Sequence, residues 1–200
     1  MDSSLFIIRY RWEEERFFDM RLSDSSSWTF VLSAFDCTSS TEQIFVNVKL
    51  RGSSLQLVYF LPVSLPGVLS DRRVTQFQRK DELWKSNCLE LFVGSDSSSG
   101  YWEFNFSFNG DWNSYRFDSY RAGMREEVTV NLYAFKRENV EENIEFHIST
   151  RLPDTLNSQP ALCPTAVIID PTSKKPHFFA PSHPADKPDF HLSENRVSID

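Results

Sequence analysis

The stretch Tyr101-Trp-Glu-Phe-Asn-Phe-Ser-Phe-Asn-Gly-Asp-Trp-Asn-Ser-Tyr-Arg-Phe-Asp118 decides the fold. Two alternating runs flank Asn109-Gly110, the dipeptide that most strongly marks a two-residue type I′ hairpin turn, where both positions need positive φ. With that dipeptide at the tip, the register predicts Phe108 opposite Asp111, Phe106 opposite Asn113, Phe104 opposite Tyr115 and Trp102 opposite Phe117. The other face then carries Asn105 opposite Ser114, Glu103 opposite Arg116 and Tyr101 opposite Asp118. One face is aromatic and suited to a core, and the other is polar. Because side chains alternate strictly, a slip of a single residue would turn a whole strand over.

The same period continues outward on both sides. In Cys88-Leu-Glu-Leu-Phe-Val93, Leu89, Leu91 and Val93 share one face and Cys88, Glu90 and Phe92 the other. Trp28 to Phe35, Ile44 to Leu50 and Ser54 to Leu61 read as strands, the last two joined by a turn at Arg51-Gly52-Ser53. Glu127 to Tyr133, Ile144 to Ser149 and Ala161 to Asp170 follow, and Pro176, Pro181, Pro184 and Pro188 cut the tail into short pieces. Ten or eleven short strands with little helix predict an all-β fold, a two-sheet antiparallel β-sandwich of jelly-roll type. Residues 5–22 suit an amphipathic helix as well as a strand. Residues 1–40 read as an N-terminal extension and first strand packed on the same domain, with the sandwich proper over 41–200.

Composition narrows the partners. With 200 residues, 40% of them hydrophobic, and 18 Phe and 5 Trp, one large aromatic-rich core is within reach. The 21 basic and 28 acidic residues leave a net charge of −7, which argues against nucleic acid and anionic membrane as partners. Arg72, Arg73, Arg79 and Lys80 make a small basic island in the long segment after Pro66-Gly67, read as a solvated loop before an anion site. Cys37, Cys88 and Cys163 have no CxxC or zinc spacing and read as free, buried thiols. No basic n-region, h-region or apolar run of spanning length is present, so the expected location is cytoplasmic.

The polar face holds the candidate site. With Leu89, Leu91 and Val93 in the core, Glu90 joins Tyr101, Glu103, Asn105, Trp112, Arg116, Asp118 and Tyr120 on one side of the sheet. Carboxylates, an amide and a guanidinium suit ring hydroxyls, and flat aromatic faces stack on the C–H faces of a sugar. A salt-bridge network ordering an outer face accounts for the same residues, at a few tenths to about 1 kcal/mol per cross-strand pair. Trp84, Trp102, Phe104 and Phe106 read as core. A second corner, His183 to His191, offers His183, Asp189 and His191 to a ligand, or is a proline-braced turn. Its histidine spacing matches no zinc signature, and no metal ligand set is assigned. No cofactor is expected; Asp96 and Asp118 could contribute to a calcium site, although no sequential run of oxygen ligands accompanies them.

Several blocks resemble the bacterial DOMON-like proteins, related in fold to family 9 carbohydrate-binding modules. They are Leu83-Trp84-x3-Cys88-x-Glu90-Leu91-Phe92, Tyr101 to Ser107, Gly110-x-Trp112-x2-Tyr115-Arg-Phe-Asp118-x-Tyr120-Arg121-x-Gly123-Met124, and His183-Pro184-x2-Lys187-Pro188-Asp189-Phe190-His191. The likeness covers about residues 40–200. Two departures stand out: Ser107-Phe108-Asn109-Gly110 replaces a Ser-Pro-Ser-Gly turn, and Phe178-Phe179 stands where an aromatic pair ending in Trp is usual. The resemblance implies a jelly-roll-like sandwich with a carbohydrate-binding relative.

Four functions are in play. The first is a non-catalytic domain that binds a sugar, polyol or glycan fragment on the polar face. The second is a glycoside-active enzyme using Glu90 and Glu103 as a carboxylate pair; GxSxG, HExxH, Walker A and GxGxxG are all absent from the sequence. The third, implied by the resemblance, is haem held by Met124 and one of His147, His177, His183 or His191. The fourth is an interaction module, homodimeric, that meets its partner through Phe92, Trp112 and Tyr120.

Overall fold

The computed structural model describes residues 26–35, 42–70, 77–95, 98–156 and 159–199. The β-rich runs form strands β1 (Ser26–Ala34), β2 (Ile44–Arg51), β3 (Ser54–Pro62), β4 (Cys88–Ser95), β5 (Ser98–Ser107) and β6 (Trp112–Phe117). They continue with β7 (Arg125–Glu126), β8 (Ala134–Val140), β9 (Asn143–Arg151), β10 (Ala161–Ile169), β11 (Pro176–Ala180) and β12 (Val197–Ser198). The helical elements among the described residues are short 3-10 turns such as Leu83–Lys85. None of the described helices is long and apolar enough to cross a membrane. The stretch 5–22, Cys37, Arg72, Arg73 and Asp96 lie outside the described residues.

The strands hydrogen-bond along the path β7-β6-β5-β4-β10-β11-β1-β2-β3-β9-β8, all antiparallel, with β12 beside β10. β1 belongs to both halves of this path: Ser26 to Leu32 pair with β2, while Ser33 and Ala34 pair with β11. The sheet therefore curls on itself instead of splitting, and the two halves face each other across the main core. That core is built from alternating residues: Val46 and Val48 of β2, Leu55, Leu57 and Tyr59 of β3, Leu89, Leu91 and Val93 of β4, and Trp102, Phe104 and Phe106 of β5. The Tyr59 hydroxyl donates to the Glu90 carbonyl at 2.6 Å, pinning the halves together where a buried phenol needs an acceptor. The expected all-β sandwich is what forms.

Two local expectations fail. The Asn109-Gly110 hairpin does not use a type I′ turn. Gly110 has φ 95 and Asn109 is not among the positive-φ residues. Gly110 N–H donates to the Ser107 carbonyl at 3.0 Å and Ser107 N–H to the Asp111 carbonyl at 2.8 Å, which is a three-residue loop ending in a left-handed glycine. The Asn109 side chain selects this form by accepting from the Ser107 hydroxyl and, at 3.2 Å, from Asp111 N–H. The loop is one residue longer than expected, so the register slips: Tyr101 faces Phe117, Trp102 faces Arg116, Glu103 faces Tyr115, Phe104 faces Ser114 and Asn105 faces Asn113. β5 keeps its assigned faces, and β6 is turned over.

The second failure is Glu127 to Tyr133, which alternates like a strand but is loop, the next strand beginning at Ala134. Glu127 Oε1 accepts from both N–H (3.0 Å) and hydroxyl (2.6 Å) of Thr129, and Arg79 takes the carbonyls of Glu127 and Val130, so the segment's polar groups are consumed locally. Half of the basic island is thereby structural: Arg79 also donates to Asn113 Oδ1 at 2.7 Å, and Lys80 pairs with Asp111.

Candidate functional site

The outer face of the β6-β5-β4-β10 half carries a second, smaller aromatic cluster of Phe92, Tyr101, Tyr115, Phe117, Val167 and Phe190. Phe92 and Glu90 point there because the alternation of β4 sends Leu89, Leu91 and Val93 the other way. Glu103 and Asn105 share the face with Tyr101 for the same reason. The C-terminal segment folds back over this face and leaves a hollow of about 350 Å³, lined by Glu90, Glu103, Phe117, Trp84, Arg121 and His191, with Phe92, Met124, Val167, Phe178, Pro188 and Phe190 completing its walls.

Two carboxyls sit at its base. Glu90 is 3% exposed and Glu103 4%. They lie diagonally on adjacent strands, since Glu90 faces Asn105 and Glu103 faces Phe92. Asn105 donates its amide to Glu103 Oε1 at 2.8 Å. Glu90 fares worse: Thr165 reaches Oε2 only at 3.4 Å, and among the described residues the buried Oε1 has no hydrogen-bond partner. Burial, then the charge of Glu103, holds the Glu90 carboxyl well above the usual range, only partly offset by Cys88 and Thr165. Burial likewise pushes Glu103 up to about 7, against the pull of Asn105 and of the Arg121 charge.

The wall is held by a hydrogen-bond chain. His191 Nδ1 lies 2.7 Å from the Tyr101 hydroxyl, and its Nε2 faces Glu103 Oε2 at 4.0 Å. Burial and then Arg121, with Arg196 adding to them and Asp189 opposing, press the imidazole down to about 4, so it is neutral at physiological pH. Asp189 is buried; that alone would raise its carboxyl, yet hydrogen bonds from Tyr120, Arg121 and the His191 N–H hold it below the ordinary range. Arg121 reaches Asp189 Oδ1 at 2.8 Å from a backbone with φ 52, a left-handed conformation uncommon for a long side chain. The tight turn that imposes it needs Gly123, at φ 68, where a Cβ would meet Asp118 Oδ2 at 2.2 Å. Arg121 N–H also donates to the Tyr101 hydroxyl at 3.2 Å, so the guanidinium's approach to the hollow is fixed at both ends.

The predicted residues divide accordingly. Glu90, Glu103 and His191 meet in the hollow; Tyr101, Asn105 and Asp189 stand behind it as supports. Tyr120 is half exposed and acts on Asp189 from outside. Trp112, Arg116 and Asp118 are corrections, all following from the register of β6. Trp112 packs in the main core under the Arg79 guanidinium, 4.2 Å from its ring centre. Arg116 lies over Trp102 at 5.1 Å, with its Nε buried and unpartnered, and not beside Glu103. Asp118 pairs with Arg125 at 2.8 Å on the surface. His183 is also elsewhere, its Nε2 2.8 Å from the Ser33 carbonyl and its ring edge-on to Phe35. Phe92 and Trp112 are buried, so of the three aromatics suggested for a partner surface only Tyr120 is exposed.

For the haem alternative, Met124 and His191 line the same hollow, whereas His147 lies 2.9 Å from Glu145 on the other half of the sheet. Among the described residues no group of three or more His, Cys, Asp or Glu is placed to hold a metal ion. Sequence reasoning missed Trp84, Phe117, Arg121, Phe178 and Phe190. Trp84 reads as core by type; it stands edge-on to Tyr115 at 5.5 Å, at the rim of the second cluster. Of these missed residues, Arg121 alone had a local signal that could have found it, the tight Arg121-x-Gly123 turn.

No protein-family model matches the chain, and no curated protein matches it by sequence. In structure it is similar to a "putative carbohydrate-binding protein" from Bacteroides uniformis, with a TM-score of 0.58 at 11% identity over 86% of this chain and 84% of that one. That likeness is one of fold.

Proposed function

We propose that the hollow binds a carbohydrate or a related polyol without transforming it. The observation that carries this reading is the composition of one cavity: hydrogen-bonding carboxyls at the base, an anchored guanidinium at the side, and flat rings around them. Sugars present this pairing of polar edge and apolar face. Support also comes from the fold shared with the Bacteroides protein and from the DOMON-like resemblance, although a fold by itself hosts many activities. A glycan array probed with the full chain, followed by calorimetry on the hits, tests it. Trp84→Ala should weaken binding about tenfold or more through lost stacking. Undiminished binding in that variant overturns the assignment.

One observation favours a second reading. Glu90 and Glu103 occupy the same hollow with raised pKa values, the arrangement from which a glycoside-active enzyme draws a proton donor. Aryl glycosides incubated with the wild type should then release phenol, and Glu90→Gln and Glu103→Gln should each abolish the release. No turnover in the wild type defeats this alternative.

A further inference from the structure

Resting on the carbohydrate reading, we infer that the sugar this hollow selects carries a free, protonated amine. The ligand class is an unacetylated amino sugar, alone or at a chain end.

The argument is one of charge and unmet hydrogen bonding. Two carboxyls are buried within one hollow, and among the described residues the basic group closest to either is the neutral His191, 4.0 Å from Glu103. Arg121 is committed to Asp189 at 2.8 Å, and Arg196 lies over the Tyr101 ring at 4.6 Å. The Glu90 side chain, more than nine-tenths buried, lines the hollow, and among the described residues its Oε1 has no hydrogen-bond partner. An acceptor left bare in this way costs free energy that a ligand donor recovers on binding. Neutral hydroxyls fill that acceptor but bring no charge, and the one guanidinium whose charge reaches Glu103, that of Arg121, is already paired with Asp189. An ammonium supplies three donors and a positive charge together, and charge-assisted hydrogen bonds are about twice as strong as neutral ones. The rings of Trp84, Phe92, Phe117, Phe178 and Phe190 around the base add cation–π attraction for the same group. A cavity of about 350 Å³ belongs to the small end of ligand sites, which suits one ring better than a long chain.

Binding of such a ligand is linked to protons. Glu103 ionises near pH 7 in the free protein. An incoming ammonium favours the carboxylate, so below that pH the complex forms with release of a proton from Glu103. Affinity therefore falls on the acid side as Glu103 holds its proton, and on the alkaline side as the amine loses its own.

The test is calorimetry of the full chain with glucosamine, N-acetylglucosamine and glucose across pH 5.5 to 9, repeated in two buffers of different ionisation enthalpy. Glucosamine should bind at least about tenfold more tightly than either neutral sugar near pH 7. It should show a bell-shaped pH profile and proton release at pH 6. Glu90→Gln and Glu103→Gln, nearly isosteric changes that remove the acid and keep the shape, should each erase the preference; melting curves show that they fold. Equal binding of the three sugars, or a preference that survives both substitutions, overturns the amine inference and leaves the sugar site standing. Failure of glucosamine to bind also overturns the amine inference, and the glycan array decides the sugar reading separately.

Discussion

The Tyr101 hydroxyl and His191 Nδ1 lie 2.7 Å apart although 90 residues separate them in the chain. This contact closes the C-terminal segment over the hairpin face and turns a flat sheet surface into a hollow. Tyr101 is stacked flat on Phe117 with ring centres 4.7 Å apart, so the hydroxyl is presented in one position only. His191 is itself edge-on to Phe92, Tyr101 and Phe117. The hollow is a product of this packing, and its stability can be probed through it.

The proton balance of the site is the first handle. His191 ionises near 4 in the folded chain against about 6.5 unfolded, so the unfolded state binds more protons between those values. Its contribution is fully present above about pH 6.5 and is lost as pH falls toward 4. Glu103, raised to about 7 from an unfolded value of about 4.3, acts with the opposite sign: its contribution is present at low pH and is lost as pH rises through 7. Glu103→Gln should therefore gain on the wild type between pH 4.5 and 8, by up to roughly 3–4 kcal/mol. His191→Gln should flatten the acid limb below pH 6.5. Urea denaturation at a series of pH values measures both, and a pH-independent gap between Glu103→Gln and wild type refutes the raised acid.

Asp189 anchors the wall. It accepts from Tyr120, from Arg121 and from the His191 backbone, and is itself almost wholly buried. Asp189→Ala strips three donors of one acceptor and should destabilise the chain by about 2–4 kcal/mol. Hydrogen exchange should show the loss concentrated in 188–196 and 118–124, with the main core unaffected.

The hairpin loop gives a sharper test of the observed register. Gly110→Ala forces a Cβ into a backbone with φ 95 and should cost about 1–2 kcal/mol. Asn109→Gly, which a type I′ turn would tolerate easily, should instead destabilise by about 1 kcal/mol through loss of the bonds to Ser107 and Asp111. Thermal melts of the two variants suffice; a neutral Asn109→Gly would favour the shorter loop.

Arg116 separates two pictures of the binding face. If it faced Glu103, Arg116→Ala would abolish sugar binding; lying over Trp102, it should leave the dissociation constant unchanged and lower stability by about 1–2 kcal/mol. Calorimetry with a glycan identified on the array, run beside Trp84→Ala, decides between them.

Sequence alternation determined most of the strands, Glu127 to Tyr133 excepted, together with the two-sided chemistry of β4 and β5 and the presence of Glu90, Glu103 and Asn105 on one face. These follow from a period of two, which each strand carries within itself. The facing of β6 was beyond that reach, because it depends on the number of residues in one loop. That number was settled by the side chains of Ser107 and Asn109 bonding across the turn, a competition that the Asn-Gly dipeptide does not reveal. The hollow itself was decided only by tertiary structure. Trp84, Arg121, Phe178 and His191 come from four separate segments and share no period; they meet because Tyr101, Asp189 and a left-handed Arg121 hold the C-terminal segment against the hairpin. Which acids face the hollow was written in the alternation, and what encloses them was written in contacts between residues far apart in the chain.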